Sequence, residues 1–128
     1  MKKLLFVLSL FLSVQSFAQD STKVKMKEWL GVLTLTEKYT DEINWTSTDQ
    51  SIVAEHFQRL VKMKEAGVVV LAGRMELPLN DPFMQGLVIF YAKNEKEANE
   101  FMMNDPAVKN KIMNAKVVPY GIAVSACK

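Results

Sequence analysis

The sequence contains few residues that can cross-link the chain or hold a metal ion. Its 128 residues include one cysteine, Cys127, and one histidine, His56. A single cysteine cannot form a disulfide within the chain, and a dedicated metal site needs several ligands at short spacing. The sequence therefore excludes a disulfide scaffold, and we expect neither a metal site nor a bound cofactor.

A long hydrophobic run is also missing. Lys2 and Lys3 precede an apolar stretch at residues 4–12, and small residues flank Phe17 just beyond it. This arrangement is typical of a secretory signal peptide, and about ten apolar residues are too few to span a bilayer, which takes ~20. We expect residues 1–18 to be removed, leaving a periplasmic or secreted protein without membrane association. A membrane anchor is the alternative.

An excess of charge is absent from the rest of the chain. Residues 1–18 hold two of the 16 basic residues and none of the 14 acidic ones, so the remainder is close to neutral. A nucleic-acid partner therefore lacks an electrostatic basis. Roughly 110 residues are enough for one domain with its own core. We predict a flexible leader at residues 19–28 and a single domain at residues 29–125.

Four segments rich in β-branched and aromatic residues predict strands. They lie at residues 29–39, 68–72, 87–92 and 116–124. Pro119 places the last strand at a sheet edge, because proline cannot donate a ladder hydrogen bond. The connection at residues 73–85 is longer than an ordinary hairpin loop, and we expect it to form a flap.

Two helical segments complete the pattern. The first is capped by Ser47 or Thr48, with Gln50 three residues after Ser47 as in a capping box, and ends at Gly67. The second covers residues 95–104 and restarts at Asp105-Pro106. The order β-α-β-β-α-β predicts an α+β fold of the ferredoxin-like kind, with a four-stranded antiparallel sheet and both helical segments on one face.

The second face of that sheet is expected to need a cover. The strand segments 68–71 and 87–91 are apolar without interruption, whereas a sheet with one solvated face alternates apolar and polar residues. We therefore expect a homodimer in which two sheets pack into a shared barrel. The alternative is that the apolar runs only look continuous because the strands are short, in which case the second face needs no cover.

Candidate functional residues are few. His56 lies on the apolar stripe of the first helix, where it is either a core residue or a general base oriented by a carboxylate, and Asp105 is our candidate for that carboxylate. Asp105 also suits a helix cap. Arg74, beside the long loop, is either a solvated residue or an anchor for a substrate carboxylate. Tyr91 and Tyr120 are expected to line the same cleft or to pack in the core.

Several motifs resemble the YCII-related (YciI-like) family. The resemblance rests on residues 55–60, 64–67, 70–73, 97–98, 104–106 and 117–120. It implies a ferredoxin-like domain that pairs into a dimeric α+β barrel, with a histidine and an aspartate as a catalytic pair in a cleft. In this sequence those residues are His56 and Asp105.

The sequence departs from the family pattern at two positions. Gly73-Arg74 stands where Gly-Pro is common, and Ala107 stands where an aromatic residue often follows Asp-Pro. The segment Asp81-Pro82-Phe83 matches the fuller motif, but it falls in the predicted loop. Position in the chain therefore favours Asp105 as the partner of His56.

These observations predict an exported, cofactor-independent enzyme that acts on a small organic substrate. His56 would move a proton in an elimination or isomerisation, and the loop at residues 73–85 would close the cleft. One alternative is a non-catalytic module of the cell envelope that binds a small ligand. Another is a haem protein with His56 as the axial ligand, for which haemin binding would give a Soret absorbance.

Overall fold

The computed structural model describes residues 24–126. The predicted signal peptide, residues 19–23 of the predicted leader and Cys127 lie outside the described residues. Within the described range, no helix has both the length and the apolar character needed to cross a membrane.

The described chain folds into four strands and three α-helices, with two short 3₁₀ turns after the first strand. In chain order the elements are β1 (Lys27–Leu35), the turns Glu37–Thr40 and Glu42–Asn44, α1 (Ser47–Glu65), β2 (Val69–Arg74), β3 (Gly86–Ala92), α2 (Glu95–Met103), α3 (Pro106–Lys109) and β4 (Met113–Pro119).

The strands form one antiparallel sheet in the order β2-β3-β1-β4. This order confirms the predicted ferredoxin-like α+β fold, and β4 is an edge strand that ends at Pro119. The predicted boundaries were less accurate. β1 begins inside the predicted leader because Lys27 pairs with Ala92. β4 begins at Met113 because that residue pairs with Leu35.

The start of α1 corrects the predicted cap by one residue. Thr46 is the N-cap, and its side chain accepts a hydrogen bond from the backbone N–H of Asp49, whose carboxylate in turn accepts the Thr46 N–H. The hydroxyl of Tyr39 donates to the same carboxylate. The hydrogen bond from the Thr46 hydroxyl is the main cause that lowers the pKa of Asp49. Gly67 follows the helix with φ of 75°, which is the left-handed backbone conformation expected of a glycine that ends a helix.

One face of the sheet carries the hydrophobic core. Alternate residues of β1, namely Trp29, Gly31 and Leu33, are buried against the helices together with Val88 and Phe90 of β3. Phe90 stacks on Phe101 of α2 at a centroid separation of 4.4 Å. The core therefore lies between the sheet and the helices.

The opposite face, which we call the open sheet face, presents another apolar row. Strand pairing sets Leu30 beside Ile89 and Val32 beside Leu87, while Leu71 of β2 also faces Ile89. Leu71 is 52% exposed. No helix within residues 24–126 packs on this face, so its apolar side chains have no cover within the described part of the chain.

Candidate active site

The side chains of His56 and Asp105 meet across the interface between helices. His56 lies in the middle of α1, and Asp105 lies in the junction between α2 and α3, where it is the N-cap of α3. The distance between His56 Nδ1 and Asp105 Oδ2 is 2.8 Å. The side chains are 12% and 2% exposed, respectively. The fold therefore places in hydrogen-bond contact two residues that are 49 positions apart.

The surroundings of Asp105 keep its carboxylate ionised at neutral pH. Burial by itself raises its pKa, but the hydrogen bond and charge of His56, the Ala107 N–H and the Arg59 charge together bring the pKa below the ordinary value of 3.8. Oδ1 accepts the Ala107 N–H at 2.9 Å. An ionised carboxylate can only accept hydrogen bonds, so Nδ1 of His56 carries the proton and Nε2 is the free nitrogen.

Arg59 is a third member of this cluster that the sequence analysis did not identify. Its Nη1 lies 3.4 Å from Asp105 Oδ2, and its Nη2 donates to the Phe101 carbonyl at 2.6 Å. The guanidinium also stacks over the Phe101 ring, 4.4 Å from the centroid. Arg59 follows His56 by three residues, which is the spacing of neighbours on one helix face. That spacing is the one sequence signal by which Arg59 could have been found.

His56 lines a cavity between α1 and the sheet. The cavity has a volume of about 730 Å³, within the range of roughly 300–1,000 Å³ found for small-molecule sites. Most of its wall is apolar and comes from α1, the sheet and the loop at residues 75–85, including Leu33, Leu60, Val69, Leu79, Met84 and Val88. Because Asp105 holds one edge of the imidazole, the edge with Nε2 is the one available to a molecule in the cavity.

Comparison with known families identifies the domain. Residues 32–120 match the model of the YCII-related domain. The chain belongs to this family. The match begins within β1, ends one residue after β4 and includes His56, Arg59 and Asp105. No curated protein matches the chain.

Among the remaining predicted site residues of this YCII-related domain, only Arg74 reaches the cavity. It is the last residue of β2 and lines the cavity wall. Tyr91 lies opposite Glu28 in the strand pairing and therefore belongs to the open sheet face. Tyr120 follows β4 and is 43% exposed. The expectation that both tyrosines share a cleft with Arg74 is corrected, because the sheet separates Tyr91 from α1 and Tyr120 lies beyond the last strand.

Across the part of the chain that the structure describes, no group of three or more His, Cys, Asp or Glu side chains is placed to hold a metal ion. Asp81, the loop residue that mimics the Asp-Pro motif, accepts the Phe83 N–H at 2.8 Å in a local turn. Within residues 24–126 its carboxylate makes no hydrogen bond with His56, whose carboxylate partner is Asp105.

Proposed function

We propose that this YCII-related domain is a cofactor-independent enzyme that moves a proton on a small organic substrate, with His56 as the general base. The observation that carries the proposal is the 2.8 Å contact between the buried Asp105 carboxylate and Nδ1 of His56, which itself lines a mainly apolar cavity. A fixed tautomer, a free Nε2 and an adjacent ligand-sized space are the features that a histidine base needs.

The chemistry follows from the charges of the cluster. Nε2 of His56 accepts a proton from a carbon next to a carbonyl group, and the electron pair of the C–H bond passes into the carbonyl as an enolate. Asp105 stabilises the imidazolium that forms, because its negative charge lies against Nδ1. A conjugated enolate takes the proton back from the imidazolium at another carbon, which is an isomerisation. An enolate with a leaving group on its β carbon instead expels that group with the bonding electron pair and forms a C=C bond, which is an elimination, and the imidazolium proton then passes to the leaving group or to solvent.

The contact within the cluster can be measured on the imidazole itself. Because the chain has one histidine, tag-free ¹⁵N-labelled protein gives one pair of imidazole nitrogen signals. In the parent protein the neutral imidazole is expected to carry its proton on Nδ1, since that nitrogen faces the Asp105 carboxylate. Asp105→Leu is expected to shift the proton toward Nε2, because the acceptor at Nδ1 is gone.

A change of tautomer in Asp105→Leu would support the assigned contact. Lys96→Met serves as the control, because Lys96 is an exposed residue of α2 that pairs with Glu100. A tautomer in Asp105→Leu that matches the parent protein would reject the catalytic pair.

A non-catalytic binding module is the second candidate function, and the predominantly apolar cavity wall favours it. The two functions differ in whether carbon-bound protons exchange. In D₂O, a panel of small carbonyl compounds with acidic C–H bonds would gain deuterium in the presence of an enzyme of this class. We expect His56→Gln to slow that exchange by about 10²-fold or more. Binding without exchange would favour the module.

We further propose that two copies pair through their open sheet faces. The support is the apolar row of Leu30, Val32, Leu71 and Ile89, which has no cover within the described chain. Sedimentation at low micromolar concentration is expected to show a dimer. Ile89→Lys should give a monomer because it buries a charge at the centre of the interface.

The control for the interface is Ile43→Lys, which makes the same change at a residue that is 86% exposed outside the sheet. It is expected to leave the dimer intact. A monomeric parent protein would refute the pairing.

We also propose that the protein is exported, and the pattern in residues 1–18 supports this. A mature N-terminus at Gln19 in the periplasmic or secreted fraction would agree with export. A chain that keeps Met1 and stays in the cytoplasmic fraction would contradict it.

A further inference from the structure

The charged groups of the cavity wall are all basic. Within residues 24–126, the ionisable side chains that line the cavity are His56, Lys64 and Arg74, and no carboxylate lines it. Neither Lys64 nor Arg74 forms an ion pair with an acidic residue of the described chain. A mainly apolar cavity with unpaired cations in its wall is complementary to a molecule that has an apolar body and a negative group.

The chain direction decides which cation lies near His56. A tight turn at residues 66–68 joins α1 to β2, so the helix runs back along the strand. His56 precedes the end of α1 by a rise of about 13 Å, and Arg74 lies about 17 Å from the start of β2. His56 and Arg74 therefore lie toward one end of the cavity, and Lys64 lies toward the other.

Arg74 is the better of the two cations for binding a carboxylate. Its backbone is fixed by pairing with Gly86 and by the bond from the Met75 N–H to the Gln85 carbonyl at 2.8 Å. A guanidinium binds a carboxylate with two parallel hydrogen bonds. Lys64 lies in the last turn of α1, where a positive charge already interacts with the helix dipole.

We propose that the cavity binds a monocarboxylate with an apolar tail. The carboxylate binds Arg74, and the tail runs along Leu60, Val69 and Val88 toward the Lys64 end. This arrangement brings the carbon atoms next to the carboxylate to the His56 end of the cavity. The proposal rests on the proposed function in that it names the anchoring group and the tail of a substrate for the same site, and the carbonyl group that the proton transfer needs would lie on the carbon atoms next to the carboxylate.

Isothermal titration calorimetry with straight-chain carboxylates from butanoate to dodecanoate, each below its micelle concentration, tests this class. Affinity is expected to rise by about fourfold per methylene until the cavity is filled. Primary alcohols and alkylammonium ions of the same lengths are the headgroup controls, and both are expected to bind at least roughly tenfold more weakly.

Three variants identify the anchoring cation. Arg74→Met is expected to weaken carboxylate binding by at least roughly tenfold and to leave alcohol binding unchanged. Arg74→Lys should be intermediate because it keeps the charge and loses the paired hydrogen bonds. Lys64→Met, which also removes a cation from the cavity wall, is expected to have a small effect. Since Arg74 is exposed, these changes leave the core intact.

The outcomes separate this inference from the proposed function. The inference would be overturned if carboxylates do not bind or if alcohols bind equally well. It would also be overturned if Lys64→Met weakens carboxylate binding and Arg74→Met does not. Arg74-dependent binding combined with a His56 tautomer that does not depend on Asp105 would uphold the ligand class and reject the proton-transfer chemistry. A tautomer that depends on Asp105, without carboxylate binding, would do the reverse.

Discussion

Replacement of Asp105 by alanine is expected to lower the free energy of unfolding by about 2–4 kcal/mol. The carboxylate is 2% exposed, contacts His56 and Arg59, and caps α3 through the Ala107 N–H. Its removal leaves the Ala107 N–H buried without an acceptor and leaves Arg59 without its anion. Urea unfolding at one fixed protein concentration, followed by tryptophan fluorescence, measures the change.

Asp81→Ala is the matched control for this prediction. Asp81 also precedes a proline, and its Oδ1 accepts the Phe83 N–H at 2.8 Å, as Asp105 Oδ1 accepts the Ala107 N–H at 2.9 Å. The two aspartates therefore share a local turn and differ in their tertiary contacts. A loss at Asp81 comparable with that at Asp105 would mean that the turn, and not the cluster with His56, determines the stability.

The pH dependence of the stability provides a second test of the same prediction. Folding lowers the pKa of Asp105 below 3.8, so the stabilisation by its ionised form is fully present above that value and is lost as the pH falls through the lowered pKa. The stability difference between the parent protein and Asp105→Asn is therefore expected to shrink when the pH is lowered below 3.8. A constant difference would contradict an ionised Asp105.

Replacement of Gly31 by valine is expected to destabilise the fold by about 2–3 kcal/mol. Gly31 lies in the central strand β1, and a Cβ atom there would lie 2.6 Å from Sδ and 2.7 Å from Cε of Met102. Met102 is 2% exposed, so it has little room to move. The same urea assay measures the loss.

A double-mutant cycle shows whether this contact is the cause. Met102→Ala alone removes a buried side chain and is expected to cost about 2–5 kcal/mol. In the Gly31→Val background it should cost about 1–2 kcal/mol less, because valine fills part of the vacated space. Gly73→Val is the control, since nothing lies within 4 Å of a Cβ built on that strand glycine. Additive losses in the cycle would rule out the proposed clash.

The predicted elements correspond closely to the observed ones where side-chain chemistry acts locally. Gly67 adopts the positive φ that suits a glycine after a helix, and Asp105-Pro106 starts α3 as an N-cap and first-turn proline. The cap of α1 was misplaced because Asp49 receives hydrogen bonds from both Thr46 and Tyr39. Tyr39 reaches that carboxylate only after the chain has turned, so a short sequence window does not contain the contact.

The site was only partly accessible to sequence reasoning. The family resemblance named His56 and Asp105, and the structure places their side chains 2.8 Å apart. Arg59 was missed because its role depends on the Phe101 carbonyl and on Asp105, both far away in the chain. The tyrosines were misplaced because a one-residue step along a strand moves a side chain to the other face of the sheet.

By itself, the sequence determined the order of the elements and the antiparallel α+β architecture, because periodicity, caps and turn residues act over a few positions. The family resemblance in the sequence added the identity of His56 and Asp105 as a pair. Only the tertiary structure decided which nitrogen of His56 is free, that Arg59 joins the pair, and that Arg74 shares a cavity with His56 while Tyr91 does not. These features depend on strand register and helix packing between distant segments, and short-range patterns do not specify the resulting distances.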